Sequence, residues 1–79
     1  MNRPVKHSLT LGGHRTSVSL EDEFWAAFRA IAAANNKGIN ELAAEIDAER
    51  GMDMGLATAI RLFVLRWYRQ RADQTFSGL

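Results

Sequence analysis

The 79 residues make one domain at the small end of what folds unaided, a size that buries only about 60% of the unfolded chain's surface. Small domains compensate with disulfides, a metal or oligomerisation. The chain has no cysteine, which excludes disulfides and thiolate zinc sites, and His7 and His14 are its only imidazoles. The net charge of +1 hides an uneven distribution: residues 1–20 hold Arg3, Lys6 and Arg15 without an acid, residues 21–53 are net −5, and residues 54–79 are net +3. A basic N-terminal stretch on an acidic middle is a local attraction for polyanions.

The opening MNRPVKHSL shows basic residues with no apolar run behind them, so no secretory signal is expected. The most apolar stretch, Ala57 to Tyr68, is interrupted by Arg61 and Arg66 and is too short to span a bilayer. A cytoplasmic protein is expected. In chain order the expectation is a flexible basic arm over residues 1–6 carrying Arg3 and Lys6, a domain over 7–72, and a frayed tail over 73–79.

From His7 to Leu20 the sequence alternates with the period of a strand. Thr16, Val18 and Leu20 share one face, and Arg15, Ser17 and Ser19 the other. Gly12-Gly13 suits a two-residue hairpin turn that sets Leu11 opposite His14, Leu9 opposite Thr16 and Ser8 opposite Ser17. A first helix is expected from about Glu21, where Glu21, Asp22 and Glu23 suit the positive end of the dipole. Its apolar stripe is Phe24, Phe28, Ile31 and Ala32, widened by Trp25, and Asn35-Asn36-Lys37-Gly38 stops it. A second helix is expected with Asn40 as its N-cap, Ile39, Leu42, Ala43 and Ile46 inward, and a stop at Gly51. A third, capped by Asp53, should run to about Ala72 with Leu56, Ile60, Phe63, Val64 and Trp67 in one stripe. Leu62 and Leu65 fall on its opposite side, which calls for a further surface to bury them.

One strand and a few helices leave strand backbone groups without partners, and an isolated hairpin is marginal. Pairing strand 14–20 with its copy in a second chain supplies the missing ladder. The outer face of that ribbon shows Arg15, Ser17 and Ser19 twice, and a two-stranded ribbon fits the major groove, about 12 Å wide. Arginine bonds guanine bidentately and serine serves several base edges. An ordinary solvated strand face would carry the same residues.

The run RTSVSLEDEFWAAFRAIAAANNKGINELAAEI resembles a ribbon-helix-helix domain of the Arc and MetJ type. The wider run KHSLTLGGHRTSVSLEDEFW, with AEIDAERG and AIRLFVLRWYR downstream, is similar to a family of short bacterial proteins built on that domain; the likeness covers about residues 5–70. The resemblance implies a mainly α fold with a short N-terminal β element, an intertwined homodimer, and an extra C-terminal helix. It implies sequence-specific DNA binding by a transcriptional regulator, a repressor, with Arg15, Ser17 and Ser19 as base readers. It also implies a phosphate held by the backbone N–H groups of Gly38, Ile39 and Asn40, with Lys37 assisting, which agrees with the anion affinity of helix N-termini. The expected dimer contacts are Thr16, Val18, Leu20, Leu42, Ile46, Phe63 and Trp67. Were residues 7–11 to pair with strand 14–20 inside one chain, the ribbon would become the centre of a four-stranded sheet.

An enzyme is not expected: there is no P-loop, and neither histidine has an orienting carboxylate or a third ligand beside it. No cofactor or metal is implied. The alternative is a protein-interaction module, an antitoxin or scaffold dimer, with Phe63, Trp67 and Tyr68 of the third helix receiving a protein partner.

Overall fold

Gly12 and Gly13, at φ +56° and +87°, close a two-residue hairpin in which both central positions need the left-handed backbone that glycine adopts without strain. The computed structural model describes residues 3–77, with side chains to residue 73. Strand β1 (Val5–Leu11) pairs antiparallel with β2 (His14–Leu20), in a register that sets Leu11 against His14, Leu9 against Thr16 and Ser8 against Ser17. The hairpin therefore forms within one chain. β1 begins at Val5, so Lys6 lies in a strand and not in the flexible arm expected for residues 1–6; Met1 and Asn2 of that arm lie outside the described residues.

Helix α1 (Asp22–Ala34) starts after Glu21 with Asp22 and Glu23 in its first turn. It ends in a Schellman arrangement: Asn36 takes φ +57°, Asn36 N–H donates to Ala33 O and Lys37 N–H to Ala32 O. Helix α2 (Ile39–Glu49) is capped by Gly38, with no side-chain cap. Asn40 was the expected cap, but its carboxamide oxygen accepts the backbone N–H of Thr10 at 2.9 Å. A tertiary bond to β1 has taken the group that a local cap would use. Helix α3 (Leu56–Ser77) begins three residues past Asp53, after a turn in which Met54 N–H donates to Gly51 O. Arg50 holds that turn, donating from Nε to Asp47 at 2.6 Å and from Nη1 to Met54 O at 2.7 Å. The helix also passes its expected end at Ala72 and runs to Ser77, since no glycine or proline interrupts the chain before Gly78; Gly78 and Leu79 lie outside the described residues.

The inner face of the hairpin lies on the three helices. Leu9, Val18 and Leu20 join Phe28, Ile31 and Ala32 of α1, Leu42, Ala43 and Ile46 of α2, and Ala59, Ile60 and Val64 of α3 in one buried cluster. Phe28 and Leu20 are wholly enclosed. The expected stripes of α1 and α2 are therefore the observed ones. On α3, Leu62 is half-buried: with Phe63 it lines an open groove of about 330 Å³ whose wall also includes Ile46 of α2. Leu65 stays exposed, as its place on the helical wheel requires. No helix among the described residues is long and apolar enough to cross a membrane.

Candidate nucleic-acid interface

The alternation of β1 and β2 sorts their side chains onto two faces. Val5, His7, Leu9, Leu11, His14, Thr16, Val18 and Leu20 share the face toward the helices. The opposite face carries the cross-strand pairs Thr10/Arg15, Ser8/Ser17 and Lys6/Ser19, all six residues exposed. That face has two cations, three serines, one threonine and no acid. Arg15 and Lys6 make no ion pair among the described residues, so both charges are free to meet a ligand.

The sequence singled out Arg15, Ser17 and Ser19 on this face, and the structure brings them together on β2. It also places Lys6, Ser8 and Thr10 beside them. Those three were legible in principle, because the glycine turn already set Ser8 opposite Ser17.

The backbone of β2 has a second edge. A two-residue hairpin turn of this kind is closed by an i to i+3 bond, which makes Leu11/His14, the pair flanking Gly12-Gly13, the bonded one. Antiparallel pairs alternate between bonded and non-bonded. Leu9/Thr16, His7/Val18 and Val5/Leu20 therefore exchange bonds across the hairpin. The N–H and C=O groups of Arg15, Ser17 and Ser19 point away from β1, and those of Lys6, Ser8 and Thr10 point away from β2. Two observed bonds agree: Thr10 N–H donates outward to Asn40, and Ser19 O accepts Arg61 Nη2 at 3.2 Å. The two edges differ in cover. α2 lies along β1, while β2 offers Arg15 and Ser17 backbone groups to solvent.

Arg61 pins the far end of β2. Its Nε donates to Glu21 at 2.9 Å, tying α3 to the start of α1, and its cation stands 5.9 Å from the Phe24 ring centre. The Arg61 hydrogen bond, with a smaller contribution from the residue's own backbone N–H, holds the Glu21 carboxyl below its usual range.

The second expected anion site is the start of α2. Gly38 and Asn40 are exposed, and no side chain caps the helix, so its first backbone N–H groups face outward. Lys37 is engaged: its ammonium donates to Glu45 at 2.6 Å, a bond that raises its pKa above the ordinary range, with Glu45 and Glu41 adding attraction. A phosphate here would compete with Glu45 for Lys37. Both partners are about a third or more exposed, where ion pairs are weak.

Of the expected dimer contacts, Val18, Leu20, Leu42 and Ile46 are buried inside the single chain. β1 covers the helices from within the protomer, so these four have almost no surface left for another chain. Thr16 is exposed, and Phe63 and Trp67 are half-buried; Arg71 stands over Trp67 at 4.4 Å.

The two histidines do not assemble a site. His7 stacks flat on Trp25, with ring centres 3.9 Å apart and planes 4° from parallel. Its Nε2 is buried without a hydrogen-bond partner among the described residues. No group of three metal-ligating side chains occurs among the described residues.

A family profile described as the ribbon-helix-helix domain matches residues 4–68, most of the chain. Members of that family typically are DNA-binding regulators, antitoxins among them; they generally dimerise, and as modules they are typically non-enzymatic. No curated protein and no solved structure matches the chain.

Proposed function

Since the chain belongs to the ribbon-helix-helix domain family, we propose that it is a homodimeric, sequence-specific DNA-binding regulator, a repressor, acting in the cytoplasm. The observation that carries this proposal is β2 itself: a strand with one edge open and an exposed, acid-free polar face.

Two copies of β2 complete each other. The outward backbone groups belong to Arg15, Ser17 and Ser19, so bonded pairs across a two-fold axis join odd-numbered residues only. Centring the axis on Ser17 pairs Arg15 with the second copy's Ser19 and Ser17 with its counterpart, and engages all three residues. A shift that centres the axis on Thr16 leaves Ser19 unpaired. One that centres it on Arg15 sets two arginines directly opposite, which is unfavourable. The Ser17-centred ribbon shows Arg15, Ser17 and Ser19 of both chains on one face. Entering the major groove, arginine can take guanine bidentately while the serines bond neighbouring base edges. The open N-terminus of α2 at Gly38, Ile39 and Asn40, with Lys37 released from Glu45, holds a phosphate and fixes the register.

The test is selection of bound sequences from random duplex DNA, followed by Arg15→Ala. The selected site should be bound more weakly by about 1–3 kcal/mol, with specificity relaxed at the base pair that Arg15 reads. Unchanged affinity for the selected site would sink the assignment of the reading face.

A second function, as an antitoxin or scaffold, is favoured by one observation. Leu65 and Tyr68 remain about half exposed on α3, next to a groove of about 280 Å³ floored by Phe24, Ala27 and Val64. An apolar partner there would hold at high salt, whereas DNA binding would weaken steeply.

A further inference from the structure

The width of the sheet decides what β1 does. With β1 paired to β2 inside each chain, a dimer formed through β2 is four strands wide, in the order β1, β2, β2, β1. At about 4.8 Å per strand, the β2 copies lie roughly 2.4 Å from the two-fold axis and the β1 copies roughly 7 Å from it. Half the width of the major groove is about 6 Å. Only the central pair fits between the groove walls, and each β1 lies over one of the two phosphodiester chains.

We propose that β1 is a phosphate-gripping strand: Lys6, Ser8 and Thr10 bind the backbone on either side of the groove that β2 reads. The inference rests on the DNA-binding proposal above and adds a set of residues and a role to it. The side chains suit the task. Lys6 is a point charge, Ser8 and Thr10 are hydroxyl donors, and all three are exposed on the same face as Arg15, Ser17 and Ser19. None has the planar, two-pronged shape that distinguishes one base pair from another. The covered edge of β1 supports the same role. Thr10 N–H is bonded to Asn40, which closes the sheet against further strands at that point. The bond also docks the start of α2 beside β1, so the helix's open N–H groups and the β1 side chains are available to the same phosphate chain.

The experiment uses the full chain, with a mixed-sequence duplex and the duplex obtained by selection, each titrated by fluorescence anisotropy from 50 to 200 mM salt. Lys6→Gln should weaken both duplexes by the same factor. It should also flatten the slope of log affinity against log salt by about 2, near one for each of two lysines in the dimer. The Ser8→Ala/Thr10→Val double variant should weaken both duplexes alike by several-fold with the slope unchanged. Arg15→Ala should instead affect the selected duplex far more than the mixed one. All these positions are exposed, and an unchanged thermal melt checks that each variant folds. Binding by the parent chain with an unaltered slope for Lys6→Gln, or a loss confined to the selected duplex, overturns the role of β1 and leaves the DNA reading standing. Failure of the parent chain to bind either duplex overturns both.

Discussion

Ser17→Pro isolates the open edge of β2 from everything else in the fold. Ser17 is exposed, and its N–H points away from β1, so the substitution removes no hydrogen bond from the hairpin. The residue before it, Thr16, lies in extended backbone, the conformation that a following proline demands. Proline is tolerated where a strand edge faces solvent and is excluded where a partner strand needs the N–H. In the proposed Ser17-centred dimer, Ser17 would donate to its counterpart and receive the reciprocal bond. Each backbone bond is worth about 0.5–1.5 kcal/mol net, so losing the two weakens association by roughly 1–3 kcal/mol before any clash of the rings. That is a rise of about 5- to 150-fold in the dimer dissociation constant. Sedimentation equilibrium across a concentration series gives the constant, and circular dichroism shows whether the protomer is intact. Val18→Pro is the contrast, since Val18 is bonded within the hairpin and buried, and it should unfold the protomer. An unchanged dissociation constant for Ser17→Pro would place the subunit contact elsewhere. A parent chain that stays at 8.8 kDa at all concentrations would remove the dimer altogether.

Other consequences can be measured directly. Phe28 is fully enclosed at the centre of the core, with the Trp25 ring 5.8 Å away, so Phe28→Ala should cost about 3–5 kcal/mol. For a chain of this length, total stability is on the order of 4–12 kcal/mol, and a melting temperature unmoved by the substitution would contradict the packing. The pH dependence has a definite sign at each end. Glu21 is held below its ordinary 4.5 by Arg61, so its contribution is complete above 4.5 and is lost as pH falls through the depressed value. Lys37 is held above its ordinary 10.5 by Glu45, so its contribution is complete below 10.5 and is lost as pH rises through the raised value. Melting temperature against pH should therefore fall at both extremes, and Arg61→Gln should soften the acid limb alone; an acid limb identical in that variant would show that the Glu21 pair contributes nothing.

What the sequence disclosed was local, and what it hid was tertiary. The glycine pair and the strict alternation fixed the hairpin register, because a slip of one residue would have turned Leu9 and Val18 out to solvent. Helical spacing likewise disclosed Phe28, Ile31, Ala32, Leu42, Ala43 and Ile46 as inward. Asn40 was misjudged because a good capping residue next to a helix start has an obvious local use, and nothing nearby in sequence announces that Thr10, thirty residues away, will claim its oxygen. That Leu62 would line a groove beside Ile46 of α2 was not legible, because the groove depends on the angle at which α3 crosses, and periodicity carries no information about that angle.

Four of the expected dimer contacts, Val18, Leu20, Leu42 and Ile46, are already buried within one chain, and that burial moves the case for pairing onto the backbone edge of β2. Leu42 and Ile46 were among the dimer contacts expected alongside the resemblance. β1 covers them, with Leu9 buried to 1% exposure. A protomer that closes its own apolar core has lost one motive for association, though not the other. Hydrophobic burial is non-directional and β1 can supply it. The N–H and C=O groups of Arg15 and Ser17 need partners at fixed positions and angles, and β1 is already on the wrong side to reach them. Solvent can serve those groups while the edge is free. Any ligand that covers the outer face must then either match them or strip their water at a cost. A second β2 matches them all at once and brings the two reading faces into one plane. In the proposed dimer, then, the pairing of subunits and the reading of DNA fall to the same three residues, Arg15, Ser17 and Ser19: their backbone would make the joint while their side chains face the groove.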